Sequence, residues 1–127
     1  MNFRKITLKS GANVILGKDE DSNDYLMNDF MGKENIILHT AAPGSPFGVI
    51  EPKKEKTKPT KTEIYEAGVF VARYSQDWRG NKKDIKVSVF TGKDISKPRG
   101  AKAGLWSIKA GKSKTITIKK KDIEKIK

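Results

Sequence analysis

The spacing of apolar residues changes along this chain, and that change constrains the fold more than any other feature. Residues 84–91, DIKVSVFT, place Ile85, Val87 and Val89 at alternate positions, which predicts a half-buried strand. Residues 60–78 instead place small and apolar side chains three and four positions apart, as on one face of a helix. Because both periods occur within 127 residues, we predict a single α+β domain with a mostly antiparallel sheet and two main helices.

The order of elements is expected to be strands, helix, strands, helix, strands. Residues 19–32 predict the first helix, because acids crowd its first turn and the pairs Leu26/Phe30 and Met27/Met31 recur four positions apart. Thr60 begins the second helix and fits a capping box with the acid three residues later. The remaining strands are predicted at residues 3–8, 14–17, 35–40, 47–50, 105–108 and 115–118. We place the folded domain at residues 1–118 and a basic C-terminal tail at residues 119–127.

Positive charge is concentrated in the second part of the chain. The net charge is +12, which divides into −2 over residues 1–51 and +14 over residues 52–127. Such an imbalance increases self-repulsion in the folded state and is typical of a protein whose partner is a polyanion. A surface that is basic throughout, as in a lysine-rich proteome, would explain the excess but explains the difference between the two parts less well.

Composition argues against several classes of function. The chain has no cysteine, so disulfides, thiolate ligands and a thiolate nucleophile are absent, and a reducing compartment is permitted. Residues 1–10 have no long apolar core and do not form a secretory signal. No apolar run approaches the roughly 20 residues that span a bilayer. We therefore expect a cytoplasmic protein without a membrane partner.

Catalytic and metal-ligating residues are sparse. His39 is the one histidine, and its apolar surroundings indicate a half-buried structural ring rather than a catalytic base. One histidine without cysteine leaves too few ligands for a nitrogen and sulfur metal site. The acids Asp19, Glu20, Asp21 and Asp24 could bind a hard cation, but at the start of a helix they more simply compensate its dipole. Neither an enzyme nor a cofactor is predicted, and a small hydrolase built on His39 is the least favoured alternative.

Two segments have a high density of positive charge. Residues 52–61, PKKEKTKPTK, have no apolar residue to bury and predict a loop with the lysines Lys53, Lys54, Lys56, Lys58 and Lys61. Residues 97–114 contain no acid and six cations: Lys97, Arg99, Lys102, Lys109, Lys112 and Lys114. Cations in such a segment can neutralise phosphates and release counterions.

The residues between those cations also suit a ligand. Gly100 and Gly104 allow the backbone to approach a ligand closely, because no Cβ intervenes. Trp106 can either stack on an unpaired base or pack into the core, and the sequence favours neither alternative. A solvated loop without a ligand is the simpler interpretation of the whole segment.

Four short motifs occur in a defined order. They are Gly17-Lys18-Asp19 with Asn23-Asp24-Tyr25-Leu26, Ile36-Ile37-Leu38-His39 with Pro43-Gly44-Ser45, Glu66-Ala67 with Tyr74-Ser75, and KPRGAKAG at residues 97–104. In this order they resemble the NFACT-R family, the RNA-binding domain of NFACT proteins, which include ribosome quality-control factors. The resemblance covers nearly the whole chain, and the last motif is its most specific part. It implies an RNA-binding domain.

The chain also departs from the family pattern. Lys18 stands where the family often has Arg, which keeps the charge but loses bidentate geometry. Ile37 stands where an aromatic residue is common, and Pro46 stands where His is usual. These departures imply a different or a weaker ligand at those positions. Since the other parts of the long family members are not in this sequence, we expect a stand-alone form of the domain.

The sequence therefore predicts a non-enzymatic module that binds structured RNA, either tRNA or ribosomal RNA, in translation or ribosome quality control. The candidate binding residues are Lys18, His39, Gly44, Ser45, Lys97, Arg99, Lys102 and Trp106, with Lys53, Lys54, Lys56, Lys58 and Lys61 as a flexible basic arm. Two alternatives stay open. One is a protein-interaction module that docks on a ribosomal complex and uses its charge for steering. The other is a DNA-binding protein that uses the same cations.

Overall fold

A six-stranded antiparallel sheet forms the centre of the molecule in the computed structural model, which describes residues 2–126. The strand order is β1-β2-β4-β3-β5-β8, and β6 and β7 form a separate hairpin. The strands are β1 Phe3–Thr7, β2 Asn13–Gly17, β3 Ile36–Thr40, β4 Gly48–Glu51, β5 Ile85–Thr91, β6 Ile95–Ser96, β7 Ser107–Ile108 and β8 Lys114–Ile118. The helices are α1 Glu20–Phe30, α2 Lys61–Arg73, α3 Gln76–Asn81 and α4 Lys120–Glu124. The predicted α+β class with a mostly antiparallel sheet is confirmed.

Helices pack on both faces of the sheet and cover one of them only in part. Val14, Leu38 and Val87 point to the face that packs against α2, and all three are fully buried. Ile37 and Phe90 point to the other face, which packs against α1 and the β6–β7 hairpin. Since neighbouring residues of β3 are buried on opposite faces, the unbroken apolar run at residues 36–38 follows from its central position.

The second predicted helix is wrong in its length. The sequence predicts one helix over residues 60–78, but α2 ends at Arg73 and α3 begins at Gln76. Ser75 separates them because its backbone is extended and its Oγ accepts a hydrogen bond from the Trp78 amide at 3.1 Å. The Ser75 hydroxyl also donates to the carbonyl of Ala72 at 2.6 Å. The extended backbone at Ser75 therefore ends one helix and begins another.

Helix α1 begins one residue after the predicted start and ends two residues before the predicted end. Asp19 caps it, and its carboxylate accepts from the Ser22 amide at 2.7 Å. Met27 is buried, but Met31 lies beyond the last turn and is 47 % exposed. The predicted Met27/Met31 apolar pair is therefore wrong, because the helix ends at Phe30.

The C-terminal residues complete the core. β8 pairs with β5, and Ile118 packs against Gly68 of α2. α4 buries Ile123 completely, and the Arg73 guanidinium donates to the carbonyl of Ile126 at 3.1 Å. Lys120 and Lys121 of the basic segment thus belong to α4, while the domain boundary at 118 stays a prediction. In the described part of the chain, none of the helices has the length and apolar character needed to cross a membrane.

Candidate nucleic-acid interface

A cleft of about 500 Å³ opens at one end of the sheet. Five chain segments meet there: the β2–α1 junction, the β3–β4 loop, the α2–α3 junction, the loop at residues 102–105, and β1, which contributes Arg4. Each of the first three corresponds to one of the sequence motifs, and the fourth lies within the KPRGAKAG motif and its continuation. The cleft contains the predicted site residues Lys18, His39, Gly44, Ser45 and Lys102.

The β2–α1 junction is fixed by Gly17 and Asn23. The Asn23 Oδ1 accepts from the Phe47 amide at 3.1 Å and lies only 2.0 Å from the place where a Gly17 Cβ would stand. The side chain of Asn23 therefore requires glycine at position 17. The amide of Lys18 donates to the Ser22 hydroxyl at 2.8 Å, which holds the backbone at the cleft while the Lys18 side chain stays exposed.

The β3–β4 loop forms one wall of the cleft. Gly44 has φ +86°, a conformation that favours glycine, and its carbonyl accepts from the Gln76 amide of α3 at 2.9 Å. Ser45 is buried, and its hydroxyl accepts from the Thr40 amide at 3.0 Å and donates to the Pro46 carbonyl at 3.0 Å. Gly44 and Ser45 thus fix the shape of the loop. The Ser45 hydroxyl already makes two hydrogen bonds within the protein.

His39 lies at the end of β3 with its ring half-buried against Phe47, at 4.6 Å between ring centroids. Its Nδ1 donates to the carbonyl of Thr40 at 2.7 Å, which leaves Nε2 as an acceptor. Burial lowers the pKa of His39, and the hydrogen bond to Thr40 raises it by less. His39 is therefore neutral at pH 7 and offers an acceptor instead of a charge.

Four cations border the cleft. The Arg4 guanidinium of β1 lies over the Tyr74 ring at 3.9 Å from its centroid, and Arg79 projects from α3. Lys18 and Lys102 are exposed on the two other walls. The sequence analysis missed Arg4 and Arg79, because only the sheet order and the break at residue 75 bring these segments together.

Two acids also line the cleft, Asp19 and Glu20. The hydrogen bonds from Ser22 lower the pKa of Asp19, so this carboxylate is the ionised cap of α1. Within residues 2–126, no three or more His, Asp and Glu side chains are grouped so that they could hold a metal ion.

Asp24 anchors the loop that carries the last motif. Its Oδ1 accepts from the Gly104 amide at 2.8 Å, from the Trp106 indole at 2.8 Å and from the Lys97 ammonium at 3.2 Å. Partial burial raises the pKa of Asp24, but these hydrogen bonds outweigh it and hold the pKa below its usual value. Asp24 was expected from the sequence to be a helix-start acid or a ligand of a hard cation, and this anchoring role was not predicted.

This anchoring changes the interpretation of two predicted site residues. The Lys97 ammonium also donates to the carbonyls of Lys102 at 2.7 Å and Leu105 at 2.9 Å, so its three donors all have acceptors within the protein. It lies 5.2 Å from the centroid of the Trp106 ring, which is half-buried against the core. Lys97 and Trp106 thus support the loop, and we do not retain them as ligand contacts.

Arg99 and the lysine arm lie outside the cleft. Arg99 is exposed beside Gly100 at the tip of the loop. The lysines at 53, 54, 56 and 58 lie in the loop between β4 and α2, and Lys61 begins α2, whereas Tyr74 at the cleft follows the end of the same helix. The 13 residues of α2 span about 20 Å, so the arm and the cleft lie at opposite ends of the helix. The arm and the cleft are thus separate surfaces, and a role of the lysine arm in binding stays a prediction.

The fold and the cleft define a small α+β domain with a concave site that four cations and two acids line. The family described as "NFACT protein RNA binding domain" matches residues 2–110, and the chain belongs to this family. The resemblance drawn from the four motifs is confirmed. β8 and α4 lie beyond the matched residues.

Two curated relatives support the same family. The archaeal Rqc2 homolog aRqcH of Methanocaldococcus jannaschii is 32 % identical over 76 residues, which cover 59 % of this chain and 11 % of the relative. The Rqc2 homolog RqcH of Bacillus subtilis is 28 % identical over 96 residues, which cover 75 % of this chain and 16 % of the relative. The chain thus matches less than a fifth of the length of either protein.

One solved structure shares the fold. It is the C-terminal part of the fibronectin/fibrinogen-binding protein from Streptococcus suis, with a TM-score of 0.76 and 20 % sequence identity. The superposition covers 98 % of this chain and 48 % of that one. It includes nearly all of the chain, so the similarity of fold reaches into the residues after 110.

Proposed function

We propose that this chain is a non-enzymatic module that binds structured RNA, tRNA or ribosomal RNA, in the cytoplasm as part of ribosome quality control. The family supports RNA as the ligand, and the two Rqc2 homologs support the ribosome as the setting. The binding site in this proposal is the cleft, with Arg4, Lys18, Arg79 and Lys102 as its cations.

The convergence of these four cations is the observation that carries the proposal. Arg4 and Lys18 come from the β1–β2 hairpin and its end, whereas Arg79 and Lys102 come from segments distant in sequence, and the four surround a cleft of about 500 Å³. The four cations outnumber the two acids of the cleft, Asp19 and Glu20, and a concave surface with an excess of positive charge raises the local concentration of an anionic partner. Phosphate groups that enter the cleft would release counterions, which makes binding favourable and dependent on salt.

The other groups of the cleft favour RNA over DNA. The Nε2 of neutral His39 can accept a hydrogen bond from a ribose 2′-hydroxyl, a group that DNA lacks. Leu105 is 56 % exposed at the rim and offers an apolar surface to a sugar or a base. The Arg4 guanidinium and the Tyr74 ring, which lie against each other nearby, add a planar surface that is both charged and aromatic.

The test is a titration of a labelled, folded RNA of tRNA size over a series of salt concentrations. We expect the double variant Lys18→Glu/Lys102→Glu to bind at least tenfold more weakly and to reduce the salt slope by about two phosphate contacts. The matched control is Lys53→Glu/Lys54→Glu, which changes the net charge equally in the loop before α2. Equal losses in both double variants would show that the net charge alone drives binding and would refute the cleft as the site.

A competition experiment tests the chemical class of the ligand. Unlabelled structured RNA should displace the labelled RNA at lower concentration than duplex DNA of equal length. The His39→Phe variant should narrow this difference, because phenylalanine keeps the ring and removes the acceptor. If duplex DNA competes as well as RNA against the wild type, the proposal of an RNA ligand is wrong.

A further inference from the structure

The sheet has an open polar area next to the cleft. His39, Ser88 and Thr115 lie opposite one another on β3, β5 and β8, and side chains in such a row point to the same face. The next row on this face pairs Lys86 with Thr117. We name Lys86, Ser88, Thr115 and Thr117 the open sheet face.

The open sheet face is accessible because its cover ends early. One row further along the same face, Ile37 and Phe90 are buried beneath α1 and the β6–β7 hairpin. Beyond that row Ser88 is half-buried, and Lys86, Thr115 and Thr117 are exposed. An exposed apolar sheet face usually marks a site where another protein packs. This face instead presents hydroxyls and an ammonium group, as a face in contact with water does.

The chemistry of this face matches a phosphodiester strand. Serine and threonine hydroxyls hydrogen-bond to phosphate and ribose oxygens, and a lysine neutralises one phosphate. The acid at the end of the face, Asp84, is compensated by the Lys119 ammonium at 3.7 Å and by the Lys120 amide at 2.8 Å. The charge that the face presents to a ligand is thus positive.

Position connects the face with the cleft. His39 belongs to both, because it lines the cleft and begins the row that continues through Ser88 to Thr115. Neighbouring strands lie about 4.8 Å apart, so this row extends roughly 10 Å from the cleft to the edge of the sheet. We infer that a bound RNA strand leaves the cleft at His39 and crosses the open sheet face toward β8, held by backbone contacts to Lys86 and the hydroxyls. This inference rests on the function proposed above, and it makes the RNA site longer than the cleft.

The sheet supplies its own matched control. Lys86 of β5 and Lys114 of β8 are both exposed lysines near the same edge, but Lys114 pairs with Val89 and points to the opposite face. Charge reversal at either position therefore changes the net charge by the same amount, but on opposite faces of the sheet. We expect Lys86→Glu to weaken binding of the tRNA-sized RNA about tenfold, and Lys114→Glu to weaken it less than twofold.

A second ligand separates the two parts of the site. A short single-stranded RNA of two or three nucleotides, used as competitor, can occupy the cleft without reaching β8. We expect Lys86→Glu to leave the affinity for this short RNA unchanged, while Lys18→Glu/Lys102→Glu lowers the affinity for both RNAs. Thermal melts of each variant confirm that the proteins compared are folded.

The outcomes distinguish this inference from the function on which it rests. If Lys86→Glu and Lys114→Glu bind the long RNA equally well while the cleft variant does not, the cleft stands and the extended path is refuted. If the wild type binds neither RNA, the proposed function fails and this inference fails with it. If Lys86→Glu keeps its RNA affinity but loses co-sedimentation with ribosomes, the open sheet face contacts a protein, and the inference is wrong.

Discussion

Replacement of Asp24 should release the loop that carries Lys102, because one carboxylate oxygen accepts all three anchoring hydrogen bonds. A hydrogen bond to a charged group contributes about 1.5–3 kcal/mol, but here the side chain is 24 % exposed and water replaces part of the loss. We therefore expect Asp24→Ala to lower the free energy of unfolding by about 3 kcal/mol. Asp24→Asn keeps an acceptor for Gly104 and Trp106 and loses mainly the ion pair with Lys97, so we expect a loss of about 1 kcal/mol.

Urea denaturation measures these differences, and NMR locates them. The chain has two tryptophans, so its spectrum contains two indole N–H signals, and Trp106→Phe identifies the one that donates to Asp24. That signal should move in both Asp24 variants, and the signal of buried Trp78 should stay in place. RNA affinity should fall in the variants in which the loop becomes disordered, because Lys102 is then no longer held at the cleft. An Asp24→Ala protein with unchanged stability and an unchanged Trp106 indole signal would refute the anchoring role.

Three further results are expected. Acid should release the same loop, because the pKa of Asp24 is lower in the folded chain than in the unfolded chain. The contribution of Asp24 to stability is complete above the unfolded pKa of about 3.9 and is lost as the pH falls through the folded pKa. The Trp106 indole signal would follow this transition. Gly92→Ala should lower the free energy of unfolding by about 3 kcal/mol in urea denaturation, because the new Cβ would lie 2.0 Å from the Phe30 carbonyl oxygen. The control is Gly80→Ala, whose Cβ would have no atom within 4 Å and which should change the free energy of unfolding by less than about 0.5 kcal/mol. Ile123→Ala should cost about 3 kcal/mol in the same assay, since this side chain is fully buried, and a loss within error would mean that α4 does not pack as described.

Local features of the fold were predictable because their causes are local. The alternation in β5 is visible in the sequence, and so is the capping box of α2, where Thr60 and Glu63 exchange hydrogen bonds at 2.9 and 3.1 Å. The break between α2 and α3 was not predictable in this way. Ser75 continues the helical spacing of the buried residues of α2, so the apolar pattern in the sequence shows no interruption there. Only the hydrogen bonds of its hydroxyl show that a second helix begins at this residue.

The site was predictable in its parts but not in its assembly. Lys97 belongs to a run without acids, and in sequence its charge appears free for a ligand. Its actual partner, Asp24, lies 73 residues away, a distance that no local pattern describes. Arg4 and Arg79 reach the cleft through tertiary structure as well, because sheet order positions β1 and the break at Ser75 positions α3. Charge density along the chain therefore indicated the kind of ligand better than it indicated the contacts.

The pairing of β5 with β8 has a consequence for the order in which the chain folds during synthesis. β5 ends at residue 91 and β8 ends at residue 118, so at 5–20 residues per second the later strand follows after roughly 1–5 s. During that interval β5 is an outer strand with unpaired amides and carbonyls, the kind of edge that invites association with other chains. An exposed lysine on an edge strand opposes such pairing, and Lys86, the second residue of β5, is one. The same ammonium group would thus protect the nascent domain from aggregation before it ever meets its ligand.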